Sequence, residues 1–121
     1  MKKKPEDEKL TEAEFTSQVI QLAKLHKWLV AHFRPGLTRK GRWITAMSGD
    51  VGFPDLVLAK SCQPIDRIAI GAGRVVFAEL KIPPNKPTAA QLDWLSVLTA
   101  AGVEAYLWTP NDWDEIEEVL A

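Results

Sequence analysis

The sequence is poor in the residues that build disulfides and zinc sites. Its 121 residues include one cysteine, Cys62, and two histidines, His26 and His32. A single cysteine excludes a disulfide within the chain and fits a reducing cytosol. A structural zinc site, which takes four Cys or His ligands, is not expected either.

The sequence also has no long apolar run. A membrane-spanning helix needs about 20 apolar residues, and the longest runs here are only as long as a strand. The lysines at positions 2–4 are followed by acidic residues and not by an apolar stretch, so we expect no secretory signal and no membrane association. The length predicts a single domain over residues 1–121, with a flexible polar start at 1–10.

Net charge is close to neutral, at −1, so composition alone does not predict nucleic-acid binding. Basic residues nevertheless crowd one short segment, and a local basic surface is enough to hold phosphates. The same residues could instead form an ordinary solvated loop. Trp43 within this segment could stack on an unpaired base or fold under its own loop. The candidate DNA contacts are Arg34, Arg39, Lys40, Arg42, Trp43 and Lys86.

Hydrophobic periodicity predicts an α/β fold in which a mixed sheet carries helices on its faces, with the element order αβββαβα. Two Thr-x-x-Glu/Gln capping boxes, Thr11 with Glu14 and Thr88 with Gln91, predict where the first two helices begin. The predicted helices begin at Thr11, Thr88 and Asp112, the predicted strands cover 28–33, 55–59, 75–81 and 104–108, and the predicted loops cover 37–53 and 60–73.

Three charged residues on two of these strands form a candidate hydrolytic site. Glu79 and Lys81 share one face of a strand because side chains two residues apart point the same way. Asp55 begins the preceding strand, directly after Pro54, and could reach the same metal ion as Glu79. Alternatively, Glu79 and Lys81 are exposed edge residues that pair with each other, while Asp55 caps a turn. The combination of Pro54-Asp55 with Glu79-x-Lys81 favours the site.

The ordered motifs resemble a known nuclease group. Gly52-Phe53-Pro54-Asp55-Leu56-Val57 and Phe77-Ala78-Glu79-Leu80-Lys81 resemble motifs II and III of the PD-(D/E)XK superfamily. Thr88-x-x-Gln91-x-x-Trp94-Leu95, Ala101-Gly102-Val103-x-Ala105-Tyr106 and Trp108-x-Pro110-x-Asp112-Trp113 resemble the carboxyl half of its VRR-NUC (virus-type replication-repair nuclease) family. The similarity runs from Thr11 to Leu120 and implies a restriction-endonuclease-like core.

The resemblance implies a nuclease that depends on Mg²⁺ or Mn²⁺. Asp55 and Glu79 would bind the metal, the backbone carbonyl of Leu80 would be a further ligand, and Lys81 would assist the attacking water. Family members often add a glutamate from the first helix; of Glu12 and Glu14 we favour Glu12, whose spacing predicts that it faces inward.

Gln91 agrees with the family pattern, and Lys27 departs from it. Gln91 matches a glutamine that family members carry near the site, although its capping box with Thr88 is an equally good reason for its presence. Lys27 stands where family members commonly carry glycine, which concerns the turn between helix and strand and not the chemistry.

The expected function is therefore structure-selective cleavage of branched DNA, such as Holliday junctions, in replication, repair or recombination. Paired cuts need two sites, so a homodimer is expected, in the cytoplasm of a bacterial or phage-infected cell. Two alternatives stay open, namely a DNA-binding or scaffold subunit that does not cut, and a nuclease that acts on DNA ends or nicks.

Overall fold

The computed structural model describes residues 10–33, 48–67 and 69–121 in full, and the backbone of residues 36–37 and 43–44. The predicted flexible start lies outside the described residues except for Leu10. Leu10 packs against the hydrophobic core. Its apolar side chain gains more from burial beside the first helix than from solvation.

Three helices and six strands make up the described chain. The helices are α1 (Glu12–Leu25), α2 (Ala89–Ala100) and α3 (Trp113–Leu120). The strands are β1 (Leu29–His32), β2 (Gly36–Leu37), β3 (Trp43–Ile44), β4 (Leu56–Ser61), β5 (Gly73–Leu80) and β6 (Glu104–Trp108). The mixed α/β class is confirmed. Among the described helices, none combines the length and the apolar character needed to cross a membrane.

Two stretches that the sequence analysis treated as loops contain regular structure. β2 and β3 pair as a small antiparallel ribbon that begins at Gly36, one residue before the predicted loop 37–53, and otherwise lies within it. A 3₁₀ turn at Ile65–Arg67 lies inside the predicted loop 60–73. Strands of two residues are too short to show an alternating pattern, which is why the sequence did not indicate them.

The main sheet has four strands in the order β1-β4-β5-β6. β4 is antiparallel to both β1 and β5, whereas β6 is parallel to β5. Parallel strands need a long crossover connection, and α2 provides it between β5 and β6. This topology places the end of β5 between the start of β4 and the end of β6.

The helix starts agree with the capping boxes. Thr11 Oγ1 accepts a hydrogen bond from Glu14 N at 3.1 Å, and Glu14 Oε1 accepts one from Thr11 N at 3.0 Å. Thr88 and Gln91 form the same pair of bonds at 3.2 and 2.8 Å. Both predicted capping boxes are confirmed because each depends only on residues three apart along the chain.

One face of the sheet forms the core. The side chains of β4 and β5 on this face are fully buried and share one cluster with those of α1 and α3. Residues between them along each strand point to the opposite face, where Phe77 and Glu79 lie. The cluster comprises Phe15, Val19, Ala23, Trp28, Leu56, Leu58, Val76, Ala78, Leu80, Trp108, Ile116 and Leu120.

The turn after α1 contains a residue in the left-handed region of backbone space. Lys27 has φ +72°, a conformation that glycine adopts without strain and other residues do not. We expect Lys27→Gly to raise the free energy of unfolding by about 1 kcal/mol, since it removes this strain. Urea denaturation would measure the change. Lys24→Gly, in the last turn of α1, is the control and should lower stability by about 1 kcal/mol; equal losses in both variants would contradict the prediction.

Candidate metal centre

Glu79 is an acidic residue in a fully buried position. Its side chain has 0% exposure, and neither carboxylate oxygen receives a hydrogen bond from any described residue. Burial of a carboxylate without a partner is costly, so the position needs a proton or a cation. Glu79 is the next-to-last residue of β5, at the edge where the strand emerges from the sheet.

Asp55 lies beside Glu79 because of the strand register. Leu56 of β4 pairs with Ala78 of β5, and extending this antiparallel ladder by one residue sets Asp55 opposite Glu79. Two main-chain hydrogen bonds hold Asp55. Its backbone oxygen accepts from Phe33 N at 2.8 Å, and its Oδ2 accepts from Leu80 N at 3.0 Å. The carboxylate is thus fixed over the end of β5.

Burial and the neighbouring Asp55 together favour the protonated form of Glu79. Burial, followed by the neighbouring Asp55 carboxyl, raises the pKa of Glu79 to about 8, and the positive charge of Lys81 opposes this rise. Two carboxyls can hydrogen-bond to each other only when they share a proton. The pair therefore holds either a proton or, once that proton is displaced, a cation.

The end of β5 also presents backbone groups to this point. The amide of Leu80 points to Asp55, while the amide of Lys81 donates to Trp108 O at 3.0 Å on the β6 side. In an extended strand the N–H and C=O of one residue point to the same side, so the carbonyl of Leu80 also faces the Asp55 side. The carbonyl of Leu80 thus lies on the same side of β5 as Asp55.

Glu12 and Glu14 at the start of α1 have different surroundings. Partial burial, followed by the charge of Asp55, raises the pKa of Glu12, and Lys81 opposes the rise, so Glu12 lies within electrostatic reach of the pair. Its side chain is exposed and does not join the buried residues of α1, such as Phe15 and Val19. Hydrogen bonds with Thr11 lower the pKa of Glu14 and keep it in the cap.

Gln91 borders the segment that carries Asp55. Its Oε1 accepts from Thr88 N at 2.8 Å, so this oxygen serves the cap of α2. A Cβ at Gly52 would lie 2.8 Å from Gln91 N, which shows how closely residues 51–55 approach the start of α2. The capping role of Gln91 is present, and a catalytic role stays a prediction.

Gly52 makes this close approach possible. It has φ +94°, and an added Cβ would lie 2.6 Å from the carbonyl carbon of Ala90. Gly49 has φ +105° with no atom within 4 Å of the corresponding position, so it has the same backbone requirement without the contact.

We expect Gly49→Ala to lower the free energy of unfolding by about 1–2 kcal/mol through backbone strain alone. Gly52→Ala should lower it by about 1–3 kcal/mol more, because the methyl group also overpacks against α2. Urea denaturation of both variants would measure the difference. Equal losses would mean that α2 and residues 51–55 separate easily.

The predicted DNA contacts are only partly described. Arg34, Arg39, Lys40 and Arg42 lie outside the described residues, and Trp43 belongs to β3. Lys86 is exposed on the segment between β5 and α2. None of these predictions is decided by the described geometry.

The sequence analysis missed an aromatic cluster behind Asp55. The Phe53 ring packs edge-to-face on Phe33, Phe77 and Trp94, at centroid distances of 5.3, 6.0 and 5.0 Å. No periodic pattern joins these residues, since they come from four separate parts of the chain. The position of Phe53, two residues before Asp55, was the only signal available.

The donor set agrees with what magnesium prefers. The described residues contain no group of three or more Asp, Glu, His or Cys side chains that could hold a metal ion. Mg²⁺ is commonly bound by one or two carboxylates, completed by waters and phosphate oxygens. The buried oxygens of Glu79 receive no hydrogen bond from described residues, and Asp55 is held at the same end of β5. This arrangement fits such an ion, with the Leu80 carbonyl as a further ligand.

No family model, curated protein or solved structure matches this chain. The resemblance to the VRR-NUC family therefore stays a prediction from the sequence motifs. The support for a function comes from the buried carboxylate pair and the residues around it.

Proposed function

We propose that this protein is a metal-dependent DNA endonuclease with a PD-(D/E)XK core of the VRR-NUC type. The observation that carries the proposal is the buried Glu79 carboxylate, whose oxygens receive no hydrogen bond from described residues and which lies opposite Asp55. A protein gains nothing in stability from such a pair, so its presence favours a role in chemistry.

Four residues have assigned roles in the proposed hydrolysis. Asp55 and Glu79, with the Leu80 carbonyl, would hold Mg²⁺ or Mn²⁺. The bound metal would neutralise charge on the phosphate and lower the pKa of the attacking water. Lys81, whose charge reaches Glu79, orients that water and stabilises the negative charge that develops on the phosphate.

Glu12 is placed where it can take part in the same chemistry. Its carboxylate is partly solvated, and it is close enough to Asp55 and Lys81 for their charges to act on its pKa, which Asp55 raises and Lys81 lowers. In the proposed site Glu12 would help to orient the attacking water. In the same proposal, Gln91 lies at the start of α2 and supports residues 51–55 from there.

The proposed substrate is branched DNA such as a Holliday junction. This substrate follows from the resemblance to the VRR-NUC family, and a nuclease selective for branched DNA recognises the shape of the DNA and not its base sequence. Symmetric cutting of a junction needs two active sites, and a homodimer with two-fold symmetry supplies them. Arg34, Arg39, Lys40, Arg42, Trp43 and Lys86 are the proposed DNA contacts.

A cleavage assay with Mn²⁺ tests the proposal. The substrates are a labelled four-way junction and a linear duplex of the same sequences, and the proteins are the wild type, Lys81→Ala and the control Lys24→Ala. Lys24 is exposed on α1, in its last turn, at the opposite end of the helix from Glu12. We expect paired cuts on the junction with the wild type and Lys24→Ala, and loss of cutting with Lys81→Ala.

Other outcomes separate the alternatives. Cutting confined to labelled ends or nicked circles would identify an end- or nick-directed nuclease. Tight binding of the junction without cutting, under every metal tested, would favour a scaffold role. Equal cutting by Lys81→Ala and the wild type would contradict the role given to Lys81.

A further inference from the structure

Helix α2 holds the segment that carries Asp55, which we call the Asp55 loop (residues 51–55). Trp94, on the second turn of α2, donates a hydrogen bond from Nε1 to Val51 O at 3.0 Å. The Trp94 ring also packs edge-to-face on the Phe53 ring, with the ring centroids 5.0 Å apart. Gly52 then lies against the backbone of Ala90. Three consecutive residues of the loop thus contact one helix.

The other end of the loop is held by the sheet. Pro54 is fully buried, the backbone oxygen of Asp55 accepts from Phe33 N, and Asp55 Oδ2 accepts from Leu80 N. The Asp55 carboxylate is therefore the end point of a segment fixed by α2 on one side and by β1 and β5 on the other. A change in the α2 contacts alters the path by which the chain reaches Asp55.

We propose that Trp94 is a positioning residue for Asp55, acting through its indole N–H on the Asp55 loop. The sequence analysis gave Trp94 no role in the site. Its side chain is half-buried and packs on Phe53, and its N–H reaches across 43 residues of sequence to one carbonyl of this loop. The consequence for metal affinity rests on the proposed function; the consequence for the geometry of Asp55 does not.

Trp28 offers a matched control at the other end of the sheet. Its Nε1 donates to Leu120 O at 2.9 Å, so Trp28→Phe and Trp94→Phe each remove one indole N–H bond to one backbone carbonyl. Trp28 is almost completely buried and packs beneath Lys60 and Arg74, with neither of the site carboxylates among its described partners. Trp28→Phe should cost at least as much stability as Trp94→Phe.

The first measurement is amide hydrogen exchange in the absence of metal. The Leu80 amide is protected by Asp55 Oδ2, whereas the adjacent Lys81 amide is protected by Trp108 O. We expect Trp94→Phe to speed exchange at Leu80 about fivefold to tenfold while Lys81 changes little, because loosening of the loop weakens only the bond to Asp55. Trp28→Phe should not change the ratio of the exchange rates at the Leu80 and Lys81 amides.

The second measurement is the dissociation constant for Mn²⁺ alone, by isothermal titration calorimetry. We expect about tenfold weaker binding in Trp94→Phe and wild-type affinity in Trp28→Phe, as for a group that orients a metal ligand. Unchanged Leu80 exchange in Trp94→Phe, or equal loss of Mn²⁺ affinity in both variants, would overturn the proposal. Faster Leu80 exchange in a protein whose wild type binds no Mn²⁺ would support the positioning role and refute the proposed metal-dependent function.

Discussion

Replacing Glu79 by Gln is expected to abolish metal-dependent cleavage, with a loss of about 1000-fold or more. The amide keeps the shape of the side chain but removes the charge that binds the metal, and metal assistance contributes several kcal/mol to hydrolysis. Asp55→Ala should have an effect of the same size. The measurement is the single-turnover rate on a four-way junction with Mn²⁺ in excess.

The control for this loss is Glu117→Gln, which removes an exposed carboxylate on α3. It should cut at the wild-type rate. Circular dichroism and junction binding should stay close to wild type in all three variants, because neither Glu79 nor Asp55 belongs to the apolar core cluster; Asp55→Ala also removes the acceptor of one hydrogen bond, from Leu80 N. Full activity in either Glu79→Gln or Asp55→Ala would refute the assignment of the metal ligands.

The same residue is expected to make the metal-free protein less stable as pH rises. The pKa of Glu79 is about 8 in the folded protein and 4.5 in the unfolded reference. Below pH 4.5 both states carry the proton, and between 4.5 and 8 only the folded state retains it. The unfolded state then binds fewer protons, so the free energy of unfolding falls with rising pH and the contribution is fully lost above pH 8. The loss is on the order of a few kcal/mol.

Urea denaturation in the presence of a chelator, from pH 5 to pH 9, measures this effect. Because Gln does not titrate, the stability of Glu79→Gln relative to the wild type should increase across the range. Adding Mn²⁺ at pH 8 should stabilise the wild type and leave Glu79→Gln nearly unchanged, since a ligand stabilises only the state that binds it. Parallel pH curves for the two proteins would mean that Glu79 is ionised at neutral pH without a cation.

Short-range features of the fold could be predicted from the sequence because their causes are local. The capping boxes at Thr11 and Thr88 depend on residues three apart, and both formed. The bounds of β6, predicted as 104–108, were confirmed because a short run of apolar and aromatic residues is enclosed by Gly102 and Pro110.

Asp55 and Glu79 lie side by side because of the register between β4 and β5, which cannot be read from the sequence. Asp55 and Glu79 are 24 positions apart, and a shift of one residue between β4 and β5 would have turned them to opposite faces of the sheet. The buried apolar set of Leu56 and Leu58 against Val76 and Ala78 fixes that register. The core on one face thus decides the geometry of the site on the other.

The sequence by itself determined the residue types of the site, the mixed α/β class and the starts of the helices, because periodicity and capping act over a few residues. The predicted order αβββαβα is not confirmed, since two further short strands, β2 and β3, lie between β1 and β4. The tertiary structure alone decided that Glu79 is fully buried and that Trp94 reaches the Asp55 loop. These depend on distances between segments far apart in the chain, which are set by how the strands pair and the helices pack.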